Sequence, residues 1–379
     1  MLATVAPDWL KAQIQPEWFE RSAERIEDDR LPKEKAEREG LSRTIGADGY
    51  ALLASIDQAA TQEQWAWLKE VPAVRILAQI WAQQYRRVDG QPQRLTPNEM
   101  PPVSEWQRSP YDEEVRYGRK RDFDWIGYQV HLTECCDDDM PHLITQVETV
   151  PATQQDHHAL TAIQVELADK QLLPQQHLVD AGYISAKRIL ESRDQQNIEL
   201  IGPVHVDPSW QAHTPGALDV SQFAVDWKRQ VVTCPQGEQS VAWHHGQDAK
   251  GESVVTIWFA RSTCQVCPLR AKCTRAQATG RSMTIRYPPE RHDLLLAARA
   301  RQQTDAFHDI YQARCGIEGT FSQTTRNTGL RRARYIGQRK THLQQVLTAL
   351  ATNLLRLIRW LEGVPFAKTR TARFAALAA

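Results

Sequence analysis

The chain has 379 residues, of which 24% are charged, and it contains 46 Lys and Arg against 46 Asp and Glu. This length is sufficient for two or three domains with a sizeable core. No apolar run approaches the roughly 18 residues that a membrane span requires, and no signal-peptide pattern opens the sequence. We therefore expect a cytoplasmic protein with no membrane contact.

The balanced total conceals an uneven distribution of charge. The first hundred residues contain 13 Lys and Arg against 16 Asp and Glu, whereas residues 301–379 contain 13 against 4. The C-terminal segment thus has a net charge of +9, which predicts a polyanionic partner. The seven cysteines, an odd number without a signal peptide, indicate reduced thiols or metal ligands rather than a disulfide framework.

Residues 1–105 are predicted to form a helical segment and a linker. Their helical pattern is interrupted at three places, which are Leu31-Pro32, Gly46–Gly49 and the residue before Pro72. The proline-rich stretch Gly90–Ser109 is predicted to be a linker or an extended connection.

Residues 106–206 alternate strand and helix patterns. Trp125–Thr133 and His142–Val150 each alternate apolar and polar residues, which predicts a β-hairpin with an acidic turn at Asp137–Asp139. The elements predicted next are a helix over 156–172, a strand over Gln176–Val179, a helix near Ser185–Ser192 and a strand over Asn197–Pro203. Asp180 follows the first of these strands, where open α/β sheets place their sites, so we predict it to be a metal ligand. The alternative is a helix-capping or turn Asp.

A second acidic candidate lies on a predicted helix over Phe307–Arg326. Its apolar positions place Glu318 at the margin of the buried face, and Arg314, four residues earlier, is spaced to pair with it. The helix is expected to end near Gly329. Beyond it lies a cluster of cations that we call the basic strip, formed by Arg331, Arg332, Arg334, Arg339 and Lys340.

Glu318 thus lies shortly before the basic strip in the sequence. Metal-dependent phosphoryl transfer on nucleic acid requires such a combination, because carboxylates bind divalent cations and guanidinium groups bind phosphates. We predict that Asp180 and Glu318 bind Mg²⁺ or Mn²⁺. Arg314 and Arg326 are predicted to bind DNA together with the basic strip.

Residues 207–300 contain four cysteines, three of them closely spaced and one in a Cys-Pro-Gln-Gly turn. They are Cys234, Cys264, Cys267 and Cys273. Four such thiols can form a tetrahedral Zn²⁺ site that staples a region poor in core residues; the alternative is buried or vestigial thiols.

The last helix is predicted over Thr341–Gly363, with a capping box at Thr341 and Gln344. Its apolar residues form one broad face that we expect to be buried as packing. These residues are Leu343, Val346, Leu347, Leu350, Leu354, Leu357 and Leu361.

Several of these motifs together resemble the DDE transposases of bacterial insertion sequences. The matching segments are VHLTECCDDDMPHLITQVET, HLVDAGYIS, LIGPV, CPQG, the Cys-x-x-Cys pair with CTR, and IEGTFSQ followed by GLRRARYIG. Tyr311, Arg314 and Glu318 match the first three letters of the family's tyrosine, arginine, glutamate, lysine signature. At the fourth letter this sequence has Thr325, with Arg326 beside it as a substitute.

The resemblance implies an α/β fold: a ribonuclease-H-like mixed sheet with flanking helices, a helical N-terminal segment and a cysteine-containing insertion over 207–300. It also makes 301–379 the C-terminal part of the core. Asp180 is then the second catalytic carboxylate and Glu318 the third. The implied activity is DNA cleavage and strand transfer with two Mg²⁺ ions, acting on insertion-sequence ends and target DNA, with a homo-oligomer on DNA as one assembly.

The first Asp of the triad has no matching strand in this sequence. The resemblance therefore implies an N-terminally truncated transposase that is inactive alone, with Asp112 as the in-chain stand-in. The alternative for Asp112 is a solvated, ion-pairing side chain. Two other functions remain open, a non-catalytic DNA-binding remnant and a ribonuclease-H-like nuclease.

Overall fold

The computed structural model describes residues 1–22, 31–120, 122–249 and 251–364, and the chain divides into two compact units. Unit 1 consists of Met1–His131, Val147–Gln154 and Thr324–Leu354, and unit 2 of Leu132–Gln146, Gln155–Gln323 and Leu355–Ala379. Helices accompany several small sheets, which confirms the mixed α/β class. Within the described ranges, no helix combines the length and apolarity needed to cross a membrane.

Unit 1 begins with a helical segment around a small apolar core. The helices are α1 (Leu2–Val5), α2 (Pro7–Gln13), α3 (Pro16–Ser22), α4 (Lys35–Ala59) and α5 (Pro72–Gln84), with a 3-10 helix over Glu63–Glu70. Trp9, Ile56, Leu68 and Val74 are buried in this core. The predicted break before Pro72 is confirmed, since Pro72 is the first residue of α5.

The predicted break at Gly46–Gly49 is wrong, because α4 continues through both glycines. A Cβ on Gly49 would lie 2.0 Å from the Trp81 ring, and one on Gly46 would lie 2.8 Å from the Tyr85 ring. The Trp81 indole also donates to the Gly46 carbonyl at 3.1 Å. These glycines therefore allow aromatic side chains to approach α4 closely, which sequence spacing cannot reveal.

Part of the predicted linker is a hairpin. Strands β1 (Tyr85–Val88) and β2 (Gln91–Arg94) pair antiparallel through a two-residue turn, in which Asp89 and Gly90 both have positive φ. Asp-Gly is a strong signal for such a turn, but Pro92 and the polar flanks obscured it in the sequence.

A three-stranded sheet follows. Its order is β3 (Arg116–Lys120), β4 (Phe123–Glu134) and β5 (Ile144–Pro151), and β3 pairs antiparallel with β4. The last two strands confirm the hairpin predicted from the alternating runs, and the acidic turn lies between them.

Unit 2 contains a short parallel pair of strands with a helix between them. In chain order the elements are α6 (Asp156–Asp169), β6 (Gln176–Leu178), α7 (Ala186–Gln196) and β7 (Glu199–Ile201). Strands β6 and β7 pair in parallel, and Leu160, Val179 and Leu200 share a buried cluster. The predicted order of elements over residues 156–203 is therefore confirmed.

Residues 207–300 of unit 2 contain mostly short elements, and Leu295 and Ala298 on the last of their helices pack against the cluster around Val179. The elements are β8 (Ala224–Asp226), β9 (Val231–Thr233), β10 (Ala242–Gln247), β11 (Ser253–Trp258), α8 (Arg261–Gln265), α9 (Arg270–Cys273), β12 (Ser282–Arg286) and α10 (Pro289–Arg301). Strands β10, β11 and β12 form an antiparallel sheet around the buried residues Val255 and Ile257.

The helix predicted over Phe307–Arg326 is divided. Helix α11 (Asp305–Gln312) is followed by a 3-10 turn over Ala313–Cys315 and by α12 (Gly316–Thr328). Gly329 has a φ of +69°, as expected for the left-handed cap. The last helix, α13 (Gln338–Leu361), begins three residues earlier than predicted, so Thr341 lies inside it and forms no capping box.

The prediction that α13 buries its apolar face is wrong, because the helix buries the other side. The buried residues are mostly polar: Thr341, Gln344, Gln345, Thr348, Ala349 and Thr352. The residues of the predicted apolar face are all exposed, from 37% at Leu357 to 69% at Leu361. The periodicity of the sequence correctly located the apolar stripe of α13. The buried face is instead the polar one, and its Gln344 and Gln345 side chains hydrogen-bond to nearby backbone groups.

Candidate functional site

Asp180 lies two residues beyond the end of β6. The strand is held in place by its pairing with β7, and the Tyr311 hydroxyl on α11 donates to the carbonyl of Val179 at 3.3 Å. Helix α11 is thereby tied to the chain at the residue before Asp180. The predicted strand-end position of this carboxylate is confirmed.

Helix α12 carries Glu318 in its first turn. The helix is held by Thr320, which is buried and hydrogen-bonds to Glu134 at the end of β4. Arg356 of α13 donates to the same Glu134 carboxylate at 2.8 Å and to Gln323 at 3.1 Å. These partly buried hydrogen bonds hold α12 in place, while the Glu318 side chain remains 68% exposed.

Arg314 joins the two predicted carboxylates, which we call the carboxylate pair. Its guanidinium lies 3.0 Å from Asp180 Oδ2 and donates to Glu318 Oε1 at 2.8 Å. Because one planar guanidinium spans both contacts, these oxygens lie at most about 8 Å apart. The predicted pairing of Arg314 with Glu318 is confirmed, and Asp180 joins it.

The pair affects the pKa values of its neighbours. Burial of Arg314 opposes its charge, but the hydrogen bond to Glu318 and the charge of Asp180 prevail and raise the pKa of Arg314. Burial and the Asp180 charge also raise the pKa of Tyr311. Both side chains therefore keep their protons at neutral pH, and each acts as a donor beside Asp180.

Asp156 is an acidic neighbour that the sequence did not suggest. A Cβ on Gly182 would lie 2.8 Å from Asp156 Oδ2, so this carboxylate lies directly against the turn after Asp180. Burial, followed by the charges of Asp156 and Asp180, raises the pKa of Tyr183. An Asp in the first turn of α6 is typical of helix starts, which gave no signal of this proximity.

The described part of the chain contains no group of three or more His, Cys, Asp or Glu side chains placed to hold one metal ion. Asp156 is therefore a neighbour of the carboxylate pair and does not complete a triad with it.

Asp112, the stand-in for the first carboxylate, is engaged by protein donors in unit 1. Its carboxylate accepts the Tyr128 hydroxyl at 3.0 Å and the backbone N–H groups of Glu114 and Gly337 at 3.1 and 2.8 Å. Burial and this hydrogen bond raise the pKa of Tyr128. Asp112 is 8% exposed, so the solvated, ion-pairing alternative is wrong, and the side chain holds the turn before α13.

Cys273 interacts electrostatically with Cys234, Cys264 and Cys267, but within the described residues no three of these thiols are placed to hold one metal ion. Cys234, Cys264 and Cys273 pack against the apolar cluster of the β10–β12 sheet. Burial raises the pKa of Cys273, and Cys264 Sγ accepts the backbone N–H of Arg281 at 3.4 Å. Zinc ligation requires thiolates that converge on one point. The zinc prediction therefore finds no support in the described part of the chain.

The basic strip lies in unit 1 with its side chains directed to solvent. Its members Arg331, Arg332, Arg334, Arg339 and Lys340 are all exposed, and none forms an ion pair with another described residue. Arg326, also predicted to bind DNA, is exposed on α12. Arg314 differs from these cations, because it already forms ion pairs with Asp180 and Glu318.

The backbone of the strip is fixed by the buried face of α13. Gln344 donates to the carbonyl of Arg332 at 2.7 Å and accepts from the N–H of Arg334 at 2.8 Å. Gln345 donates to the carbonyl of Leu330 at 3.1 Å. Buried amide side chains therefore satisfy the backbone of a loop whose charges stay free, which explains why this face of α13 is polar.

The fold and site are those of a mixed α/β protein with a strand-end Asp, a helix-borne Glu and a basic strip. Residues 233–358 match a family described as the transposase DDE domain. The matched segment includes Glu318 and the basic strip. The match covers about a third of the chain and supports the resemblance inferred from the sequence. Searches of curated proteins and of solved structures gave no match.

Proposed function

We propose that this chain acts in transposition, as a transposase that cleaves insertion-sequence ends and joins them to target DNA by metal-dependent phosphoryl transfer. One observation carries this proposal: a single guanidinium, that of Arg314, brings together Asp180 from a strand end and Glu318 from a helix. Glu318 also lies within the segment that matches the transposase DDE domain.

The proposed core is ribonuclease-H-like. It would consist of residues 106–206 and the part from 301 onward, with residues 1–105 as a helical segment and 207–300 as an insertion. The order of a hairpin, a helix and two parallel strands joined by a helix supports this division. So does the separate antiparallel sheet within 207–300.

The carboxylate pair fits a divalent cation in its chemistry. Carboxylate oxygens are the donors that Mg²⁺ and Mn²⁺ prefer, and the side chains of Asp180 and Glu318 are 48% and 68% exposed. A bound cation would stabilise negative charge on a phosphate oxygen. Arg314 pairs with both carboxylates, so its positive charge competes with a cation for them.

The basic strip would hold DNA through its phosphates. Its five cations project from a hydrogen-bonded backbone, so little conformational freedom of the loop is lost on binding. Contacts of this kind are largely independent of base sequence and weaken with salt.

The test of the metal site is a titration of the purified chain with Mn²⁺, followed by calorimetry. We expect Asp180→Asn and Glu318→Gln each to weaken binding about tenfold or more, since each removes a charged ligand. The matched control is Glu166→Gln, an exposed acid on α6, which should leave the affinity unchanged. Equal affinity in all four proteins would show that the carboxylate pair does not bind the cation.

A non-catalytic DNA-binding remnant is the second candidate. It is favoured by the ion pairs that Arg314 forms with both carboxylates, and by the lack of a three-ligand group among the described residues. This candidate predicts that the chain binds DNA with the basic strip intact but shows no saturable Mn²⁺ binding. The same titration therefore separates the two functions.

A further inference from the structure

Helix α13 exposes a regular row of leucines that the proposed chemistry does not use. Successive members are four, three, four, three and four residues apart: Leu343, Leu347, Leu350, Leu354, Leu357 and Leu361. We call this row the leucine seam. Each member is at least 37% exposed, and five of the six are more than half exposed.

This spacing is that of the a and d positions of a heptad repeat. Leu343, Leu350 and Leu357 occupy d positions, and the other three leucines occupy a positions. Apolar residues repeating every 3.5 positions on average keep one seam facing a partner helix along its whole length. A packing face toward the chain's own core requires only period 3.6 and not this strict alternation.

The helix cannot bury the seam by rotating. Its buried side is engaged through Gln345 and, at the edge of the seam, through Gln344, and these two side chains hold the backbone of residues 330–334. Rotation would break these buried hydrogen bonds, and unsatisfied buried polar groups are costly. The leucine seam therefore stays on the outside as long as the basic strip keeps its structure.

The residues that flank the seam carry no charge. At the positions next to the leucines stand Gln344, Val346, Ala351, Asn353, Ile358 and Trp360. In coiled coils these flanking positions decide which partners repel each other. Two identical seams can therefore meet without repulsion between like charges. The first charge toward the N-terminus is Lys340, which belongs to the basic strip.

The exposed area is sufficient for a stable pair. The six leucines expose about 600 Å² per chain, so two seams would bury about 1,200 Å², the lower end for specific interfaces. Ile358 and Trp360, which are 51% and 45% exposed, would add to this area at the edges. The seam spans about five helical turns, which is long enough for knobs-into-holes packing once the chains themselves are folded.

We propose that the leucine seam pairs with the seam of a second copy of this chain, as a two-helix coiled coil. This pairing does not depend on the proposed catalytic function. It would place two basic strips at one assembly, since the strip is continuous with the start of α13.

The experiment is to measure the mass of the purified chain in solution by light scattering or sedimentation, from about 1 to 100 µM. We expect a dimer. Leu354→Lys should raise the dissociation constant about 100-fold or more, because each copy places a charge in the buried seam. The matched control is Leu355→Lys, which is 45% exposed, one residue away and off the seam, and should remain dimeric.

Leu350→Gln is a milder second variant for the case in which Leu354→Lys does not fold, as judged by circular dichroism. A monomeric wild-type chain at 100 µM would overturn the proposal and mean that another segment or a different partner covers the seam. A dimer that persists in both seam variants would also overturn it, since the copies would then meet elsewhere.

Discussion

The basic strip of unit 1 and the carboxylate pair of unit 2 are both charged segments, but the protein treats their charges in opposite ways. In the strip, Gln344, Gln345 and Asp112 satisfy the backbone, while the cationic side chains are left in solvent. In the pair, the charged groups already contact a charged partner, because Arg314 pairs with both carboxylates.

The basic strip can therefore bind a ligand without rearrangement, whereas the carboxylate pair must first release or share Arg314. Exposed, unpaired cations on a fixed backbone bind phosphates with little reorganisation. A cation that binds Asp180 and Glu318 has to share them with Arg314 or displace it.

The largest effect is expected at the carboxylate pair. If the chain cleaves insertion-sequence ends with Mg²⁺, contrary to the inactivity that the resemblance implies, Glu318→Gln should lower the rate about 1,000-fold, because it removes a charged group from the reacting centre. The measurement is single-turnover cleavage of a labelled DNA end. Glu166→Gln should cleave at the wild-type rate. Cleavage by Glu318→Gln at that rate would remove Glu318 from the catalytic site.

The basic strip should dominate the binding of DNA. Replacing Arg331, Arg332 and Arg334 by Ala should flatten the slope of log K against log salt by roughly 2 to 3, since each phosphate contact contributes about 0.9. Fluorescence anisotropy at several salt concentrations gives this slope. The matched control replaces three arginines that already form ion pairs, which are Arg86, Arg193 and Arg301. If the control variant shows the larger loss, the DNA surface lies elsewhere.

Several elements of this contrast were predictable from local sequence. The alternation of Trp125–Thr133 and His142–Val150 gave the hairpin, and the spacing of Arg314 and Glu318 gave their ion pair. Asp180 was located because a short apolar run ended there. In each case the signal lies within a few residues, where geometry is fixed by the local backbone.

What could not be predicted depends on contacts between distant residues. Gly49 resembles a helix break until Trp81 is seen against it. The leucine stripe of α13 resembles a buried face until Gln344 and Gln345 are found bonded to the loop before it. Asp112 gave no sign that Tyr128 and Gly337 would enclose its carboxylate. Which face of a helix is buried depends on the distant residues that pack against it. The local spacing of apolar residues carries no information about those distant residues.

The fixed backbone of the strip can be tested through Gln344. Gln344→Leu removes two hydrogen bonds to the backbone of residues 332 and 334. The hydrogen-bonded conformation of this loop should lose about 2 kcal/mol of stability relative to its locally unfolded state, because buried backbone groups lose their partners. Hydrogen exchange of residues 330–336 should quicken accordingly. Gln58→Leu, an exposed glutamine of α4, is the control and should leave exchange in the loop unchanged. Unchanged protection in Gln344→Leu would show that the loop is held by other contacts.

The smallest effect, and the most direct comparison of the two regions, concerns Arg314. If this arginine competes for the carboxylate pair, Arg314→Gln should tighten Mn²⁺ binding by roughly two- to fivefold, since a partly exposed ion pair is worth about 1 kcal/mol or less. Arg301→Gln, which removes a cation paired with Glu199 elsewhere in unit 2, should leave the affinity unchanged. Weaker binding in Arg314→Gln would mean that Arg314 holds the two carboxylates in their binding geometry. Its role would then parallel that of Gln344 in the basic strip, and the contrast between the two regions would fail.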